Sequence, residues 1–256
     1  MSILPQNRFK HALTAGTSQI GLWSTLSTAF AVDVVAGAGF DWLLLDTEHS
    51  PADVLTVLPQ LQALSGFADV SAVVRPAAND PILIKRYLDI GAQTLLIPYV
   101  QSAEEAEAAV AASRYPPSGI RGVSALTRAT QFGRIKNYSK NAQEQICLLV
   151  QVETRTALDN LEAIAAVDGV DGVFVGPGDL AASLGHIGEL DHPEVVEAVE
   201  SAITRIVACG KPAGILTGNP VFAKRCQYLG ARFVAVGVDA GLLARAADGL
   251  LRSFKG

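Results

Sequence analysis

The chain is poor in cysteine, has no excess of positive charge and contains no long apolar run. Its three cysteines, Cys147, Cys209 and Cys226, are odd in number and far apart. That excludes a disulfide framework and points to reduced thiols in a cytoplasmic protein. Net charge is −5, and Lys and Arg are scattered without a basic cluster. A nucleic-acid partner is thereby disfavoured, because phosphate binding wants a basic face. No apolar run approaches the ~20 residues that cross a bilayer. Residues 1–13 carry Gln, Asn, Arg, Lys and His ahead of any apolar run, which is unlike a signal peptide.

Half of the 256 residues are hydrophobic and 18% are charged, so a sizeable core is available and disorder is disfavoured. Short apolar runs recur at 20–23, 42–46, 70–75, 94–98, 146–153, 172–176, 213–216 and 233–238. They do not alternate apolar with polar residues, so both faces are expected to be buried, as in a parallel sheet. The segments between them read as helices. Ser50-Pro51-Ala52-Asp53, Asp80-Pro81, Ser102-Ala103-Glu104-Glu105 and Asn219-Pro220 are start signals. Gly37 or Gly39, Gly91, Gly210 and Gly230 suit C-terminal caps. A last helix is expected over 240–254. Eight such units in this length predict a single (β/α)8 TIM-barrel domain spanning 1–256. A doubly wound sheet is the alternative, but no Gly-x-Gly-x-x-Gly follows the first strand. The one long insertion is 115–145, of a size usually found in functional loops or contacts.

In a barrel the active site lies at the C-terminal ends of the strands. Those ends carry Trp23, Asp46 through His49, Arg75, Gln151 with Glu153, Gly178 with Asp179, and Leu216. Gln151 and Glu153 stand two apart, so they point the same way. Glu153 and Asp179 are candidate metal ligands, and two carboxylates with open positions suit Mg²⁺ or Mn²⁺, with Co²⁺ or Zn²⁺ also admitted. Asp179 can equally cap the helix it begins. Backbone N–H groups after Pro177 can hold a carboxylate. His49 is the only histidine at a strand end beside acids, which suits a general base. Which neighbouring acid orients it, Asp46 among them, stays open. Arg75 suits a substrate carboxylate or a developing oxyanion, or a structural pair with Asp46 or Glu48. Asp89, on a helix, reads by itself as a solvated acid. No Lys ends a strand, so a Schiff-base route lacks its nucleophile, and no Ser/Cys–His–Asp set stands out. Metal-assisted proton transfer with enolate stabilisation is what the remaining groups fit.

The chain resembles the metal-dependent (class II) pyruvate aldolases of the HpcH/HpaI family. The matching stretches include Ala36 to Trp42, Asp46-Thr47-Glu48-His49-Ser50-Pro51, Val73-Val74-Arg75-Pro76, Arg114 to Gly122, Leu149 to Thr154, Gly169 to Leu180 and Phe233 to Asp239. The resemblance implies a barrel whose final helix is exchanged between subunits of a hexamer. It implies a divalent metal on Glu153 and Asp179, chelated by pyruvate or hydroxypyruvate. Gln151 and the backbone of Gly178 and Asp179 would contact that substrate. His49 would be the base, Asp89 would raise its basicity, and Arg75 would steady the enolate. The implied reaction is reversible cleavage of a 4-hydroxy-2-oxo acid to pyruvate and an aldehyde held near Leu216 and the 115–145 insertion. Two rivals differ in what they need. A coenzyme-A-dependent malyl or citramalyl lyase requires a cationic site that no basic cluster supplies. A non-catalytic keto-acid and metal binder should lack His49, Arg75, Glu153 or Asp179, all of which are present.

Overall fold

The computed structural model describes residues 4–255. Eight parallel strands close on themselves in sequence order. They are β1 (Gln19–Ser24), β2 (Trp42–Asp46), β3 (Ser71–Arg75), β4 (Thr94–Ile97), β5 (Cys147–Val152), β6 (Gly172–Val175), β7 (Ala213–Leu216) and β8 (Ala231–Val238). The helices among the described residues are α1 (Arg8–Thr14), α2 (Ala29–Ala36), α3 (Val54–Leu64), α4 (Pro81–Asp89), α5 (Ala103–Ser113), α6 (Tyr138–Gln145), α7 (Arg155–Asp159), α8 (Leu161–Ala166), α9 (Pro177–Ser183), α10 (Pro193–Ala208), α11 (Pro220–Tyr228) and α12 (Asp239–Lys255). The expected TIM barrel is therefore what forms, and each apolar run supplies one strand.

Alternate residues of each strand face opposite ways, and two buried clusters result. Leu43, Leu45, Val74, Leu95, Val150 and Val173 point outward onto the helices. Trp42, Leu44, Val73, Leu96, Leu149, Phe174 and Phe233 fill the barrel. α1 closes the N-terminal end: Phe9 is fully buried and packs edge-on to Trp42 at 5.7 Å and Phe233 at 5.8 Å between ring centroids. The interior takes two such large rings because β1 places Gly21 against the Trp42 indole, where a Cβ would overlap the ring.

Several helix boundaries correct the sequence reading. The α3 cap is Asp53, which accepts from the N–H of Leu55 and Thr56 and closes a reciprocal box with Thr56. Ser50 instead turns back and donates to the carbonyl of Asp46. At α5, Ser102 accepts from Glu105 N–H, but the Glu105 carboxylate takes Gln101 N–H rather than completing the box. Asp80 and Asn219 cap α4 and α11 as expected. Gly39, Gly91, Gly210 and Gly230 have positive φ, whereas Gly37, at −68°, stays right-handed.

The 115–145 insertion leaves α5 and enters β5, so it lies at the N-terminal end of the barrel. Ala129 N–H donates to Asp89 C=O at 3.1 Å there, and Arg128 to Ile90 C=O at 2.9 Å. Within one chain it stands at the end away from the polar strand termini, so it cannot hold an aldehyde at the same chain's site. α12 buries only Asp239. Its Leu242, Leu243, Leu250, Leu251 and Phe254 are exposed. No helix among the described residues is long and apolar enough to cross a membrane.

Candidate active site

A cavity of about 690 Å³ opens at the C-terminal end of the barrel. Its wall includes Trp23, His49, Arg75, Gln151, Glu153, Gly178, Asp179 and Leu216, so most of the residues singled out by sequence meet in one space. Trp23, Phe174, Leu216 and Phe222 supply its apolar surface.

Arg75 organises the floor. It ends β3 with only 7% of its side chain exposed. Its Nε donates to Asp46 Oδ1 at 2.8 Å and its Nη2 to Asp46 Oδ2 at 2.7 Å. Nη1 pairs with Glu48 Oε2 at 2.8 Å and leans towards Gln151 Oε1 at 3.4 Å. The guanidinium also lies over the Trp23 ring, 5.1 Å from its centroid. Such a planar, two-pronged pair is held far more rigidly than a single contact. Burial works to raise the Asp46 carboxyl, but the Arg75 hydrogen bonds and charge prevail and hold it below its usual range. Asp46 is thus committed to Arg75 and does not bond the His49 ring. Thr47, next in the chain, donates to Arg75 C=O at 2.7 Å and receives Tyr87 Oη at 3.0 Å, which ties β2 to β3 and α4.

Glu153 sits one residue past β5 and is buried. Its Oε1 accepts Tyr99 N–H at 2.8 Å and its Oε2 accepts Gln151 Nε2 at 2.6 Å, so the two side chains do share a direction. Burial raises its carboxyl to about 7; the Tyr99 N–H works against this, while the nearby Asp179 and Glu48 carboxylates push it further up. Glu48 is likewise raised, first by burial and against the pull of Arg75. A Cβ on Gly176 would overlap the Glu153 carboxylate, so this glycine is what lets β6 pass so close. The Asp179 carboxylate takes no hydrogen bond or ion pair among the described residues.

These observations form a test of whether a cation belongs here. Three carboxylates, on Glu48, Glu153 and Asp179, act on one another at a cavity whose wall carries two guanidinium groups, Arg75, already shared between Asp46 and Glu48, and Arg245, which pairs with none of the three among the described residues. Two oxygen donors facing a polar cavity with open positions are what a hard divalent ion takes. Glu153 and Asp179 therefore fit a metal. Without one, the raised Glu153 carboxyl favours the protonated form in the fold. Its contribution to stability is full below its ordinary value of 4.5 and is lost as pH rises through about 7. The melting temperature of the metal-free protein, relative to that of Glu153→Gln, should fall across this interval, by an amount equivalent to about 3 kcal/mol at most. A thermal melt series from pH 5 to 8 checks it, and a difference that rises with pH would contradict the assignment.

His49 stands at the mouth with 65% of its side chain exposed, and its nearest carboxylate is Glu48, at 3.9 Å. Asp89 is not near it. That residue ends α4, at the opposite end of the barrel, where its Oδ1 accepts Arg121 Nη2 at 2.8 Å. Arg121 is fully buried and lies over the Tyr115 ring at 4.5 Å. A helix that follows a strand runs back down the barrel, so Asp89 can approach a His49 only in another copy of the chain. The structural pair offered for Arg75 is met by both Asp46 and Glu48. Sequence reading missed two participants. The Tyr99 N–H is a backbone group and has no side-chain signal. Asp239 fixes the loop after Trp23 by accepting from Ser24 Oγ at 2.9 Å and from Thr25 N–H at 2.8 Å.

Residues 19–246 match the family described as HpcH/HpaI aldolase/citrate lyase. A pyruvate aldolase of Rhizobium etli is 66% identical over 251 residues, 98% of each chain. A 4-hydroxy-2-oxo-heptane-1,7-dioate aldolase of Salmonella heidelberg is 57% identical, over 97% of this chain and 95% of its own. The crystal structure of a HpcH/HpaI aldolase/citrate lyase family protein from Burkholderia cenocepacia superposes with a TM-score of 0.94 at 38% identity, covering 98% of this chain and all of the other.

Proposed function

The chain belongs to the HpcH/HpaI aldolase/citrate lyase family, and from that membership we propose that it reversibly cleaves 4-hydroxy-2-oxo acids to pyruvate, or hydroxypyruvate, and an aldehyde. The observation that carries this reading is the pair Glu153 and Asp179. They are strand-end carboxylates without a neutralising partner, side by side with Gln151 and Arg75 in one cavity. A divalent cation on that pair supplies Lewis-acid polarisation of a 2-keto group and stabilises the enolate charge that cleavage leaves. Mg²⁺ or Mn²⁺ suits oxygen donors that leave positions open.

The protein's own groups do the rest. Gln151, fixed by Glu153, presents its amide to a substrate carboxylate or hydroxyl. The N–H groups at the start of α9, after Gly176, add a positive backbone field. Arg75, held in place by Asp46 and Glu48, offsets negative charge growing at the keto oxygen. His49 is free at the mouth to take the C4-hydroxyl proton, directly or through water, during cleavage and to return it in synthesis. Trp23, Phe174 and Leu216 form the apolar wall against which the aldehyde part packs. Apart from Arg75, the cavity wall carries one cation, Arg245, too little for the nucleotide phosphates of coenzyme A.

The assembly belongs to the same proposal. The exposed apolar residues of α12 suit exchange of this helix between copies in a hexamer. Asp89 then completes a neighbour's site, and its effect on His49 acts between chains. The test is subunit mixing. His49→Ala and Asp89→Asn homo-oligomers should each be weak. Randomly mixed oligomers should regain about a quarter of wild-type sites, since half of the chains supply His49 and half supply Asp89. No recovery in oligomers shown to have exchanged chains would contradict action of Asp89 between chains, and full activity of Asp89→Asn would place it outside the reaction. The activity itself is tested by assaying pyruvate release from 4-hydroxy-2-oxo acids after chelation and after adding back Mg²⁺ or Mn²⁺. Turnover that survives chelation removes the reading. Three free cysteines suit a cytoplasmic enzyme.

A further inference from the structure

We propose that His186, Glu189 and His192 form a second metal site, suited to zinc, on the loop between α9 and α10. One ligand atom from each of these side chains lies within 4.8 Å of the other two. They are the one group of three or more His, Cys, Asp or Glu with that spacing among the described residues. Two imidazoles and a carboxylate are a donor set that zinc takes readily, whereas the all-oxygen pair at Glu153 and Asp179 suits harder ions. Ligand atoms around a tetrahedral zinc stand about 3.4 Å apart, so the three side chains must draw together and the histidine rings must turn to hold it.

The backbone brings the three together. Glu189 N–H donates to His186 C=O at 2.9 Å, and His192 N–H donates to Glu189 C=O at 3.0 Å. Two consecutive turns thus place positions 186, 189 and 192 on one side of the loop. The two imidazoles are stacked, with centroids 3.5 Å apart and planes at 18°, so binding one ion turns them out of this stack until each aims a nitrogen at the metal in its own plane. Behind His186 stands Glu194, whose Oε2 is 2.9 Å from Nε2 and whose Oε1 is held by Arg155 at 3.2 Å. A carboxylate behind a histidine fixes the ring and its tautomer, and it leaves Nδ1 to face a metal. His192 accepts Glu194 N–H through Nδ1 at 3.3 Å, a long bond that a metal on the same nitrogen would replace.

The place of the site gives it a consequence. Leu190 and Asp191, between Glu189 and His192, line the cavity that holds Glu153 and Asp179. A metal tying the two histidines across these residues would hold that part of the cavity wall in one conformation. The site shares no residue with Glu153 or Asp179, so it stands whether or not they hold a metal.

The experiment uses the full chain, stripped with a chelator and dialysed. It is titrated with Zn²⁺ by calorimetry and with Co²⁺ by visible absorption. His186→Ala should bind one equivalent fewer than wild type, and Glu189→Gln should weaken that equivalent at least tenfold. Glu153→Gln/Asp179→Asn should keep one equivalent, which is lost when His186→Ala is added. Equal stoichiometry with and without His186 overturns the proposal. Should the doubly substituted chain fail to fold, wild type against His186→Ala decides alone, because the expected difference is one equivalent in either case.

Discussion

Glu153→Gln is expected to lower kcat/KM for retro-aldol cleavage by about 10³-fold or more, the loss of several kcal/mol of charge stabilisation. The substitution keeps the size of the side chain and an oxygen to accept Tyr99 N–H. It removes the negative charge, and with it one of the two donors for the cation. Folding should not suffer. The wild-type carboxyl is pushed up to about 7 by burial, so a neutral amide is the easier group to bury in the metal-free protein. The variant should therefore melt at or above the wild-type temperature in chelator at pH 8 while binding one divalent ion fewer. Loss of activity with gain of stability separates a chemical role from a packing one. A variant that cleaves at the wild-type rate would dismiss Glu153 as a ligand.

His49→Ala should slow cleavage by about 10²- to 10⁴-fold, the usual worth of a positioned general base. Its side chain is 65% exposed and 3.9 Å from its nearest acid, so nothing structural depends on it. Metal binding and pyruvate binding, measured by calorimetry, should be unchanged. The defect should appear in kcat, because the proton at the C4 hydroxyl moves only in the reaction. A variant that loses pyruvate binding along with activity would mean that His49 holds the substrate rather than the proton.

Much of this was legible in the sequence because the chemistry is carried by side chains that do not belong where they stand. Glu153 and Gln151 interrupt an apolar strand, Arg75 ends another, and Asp179 follows a third. A strand-end carboxylate is costly to bury, so its presence announces a partner. The barrel itself was legible because parallel strands are buried on both faces and lose the alternation that would hide them. What could not be read was which end of the barrel a helix terminus reaches. Asp89 and the 115–145 insertion lie where α4 and α5 deliver them, and one chain puts both far from His49. A residue that acts across a subunit boundary has no intrachain signature. Nor could composition tell that Arg75 holds Asp46 through two bonds and Glu48 through one, with Glu48 also close enough to raise the carboxyl of Glu153. Asp46 and Glu48 are acids of one short run, and only the turn after β2 distinguishes them. The Tyr99 N–H was invisible because every residue but proline carries one.

The measurement closest to the centre of this account is exchange of the pyruvate methyl protons in D₂O, followed by proton NMR with no aldehyde present. It reports enolate formation alone and does not depend on knowing the aldehyde. With Mg²⁺ or Mn²⁺ the wild-type protein should exchange these protons well above the buffer rate. The chelated protein and the Glu153→Gln variant should not. Exchange that continues in the chelated protein, or that is absent when the metal is bound, would contradict a metal-stabilised enolate on Glu153 and Asp179.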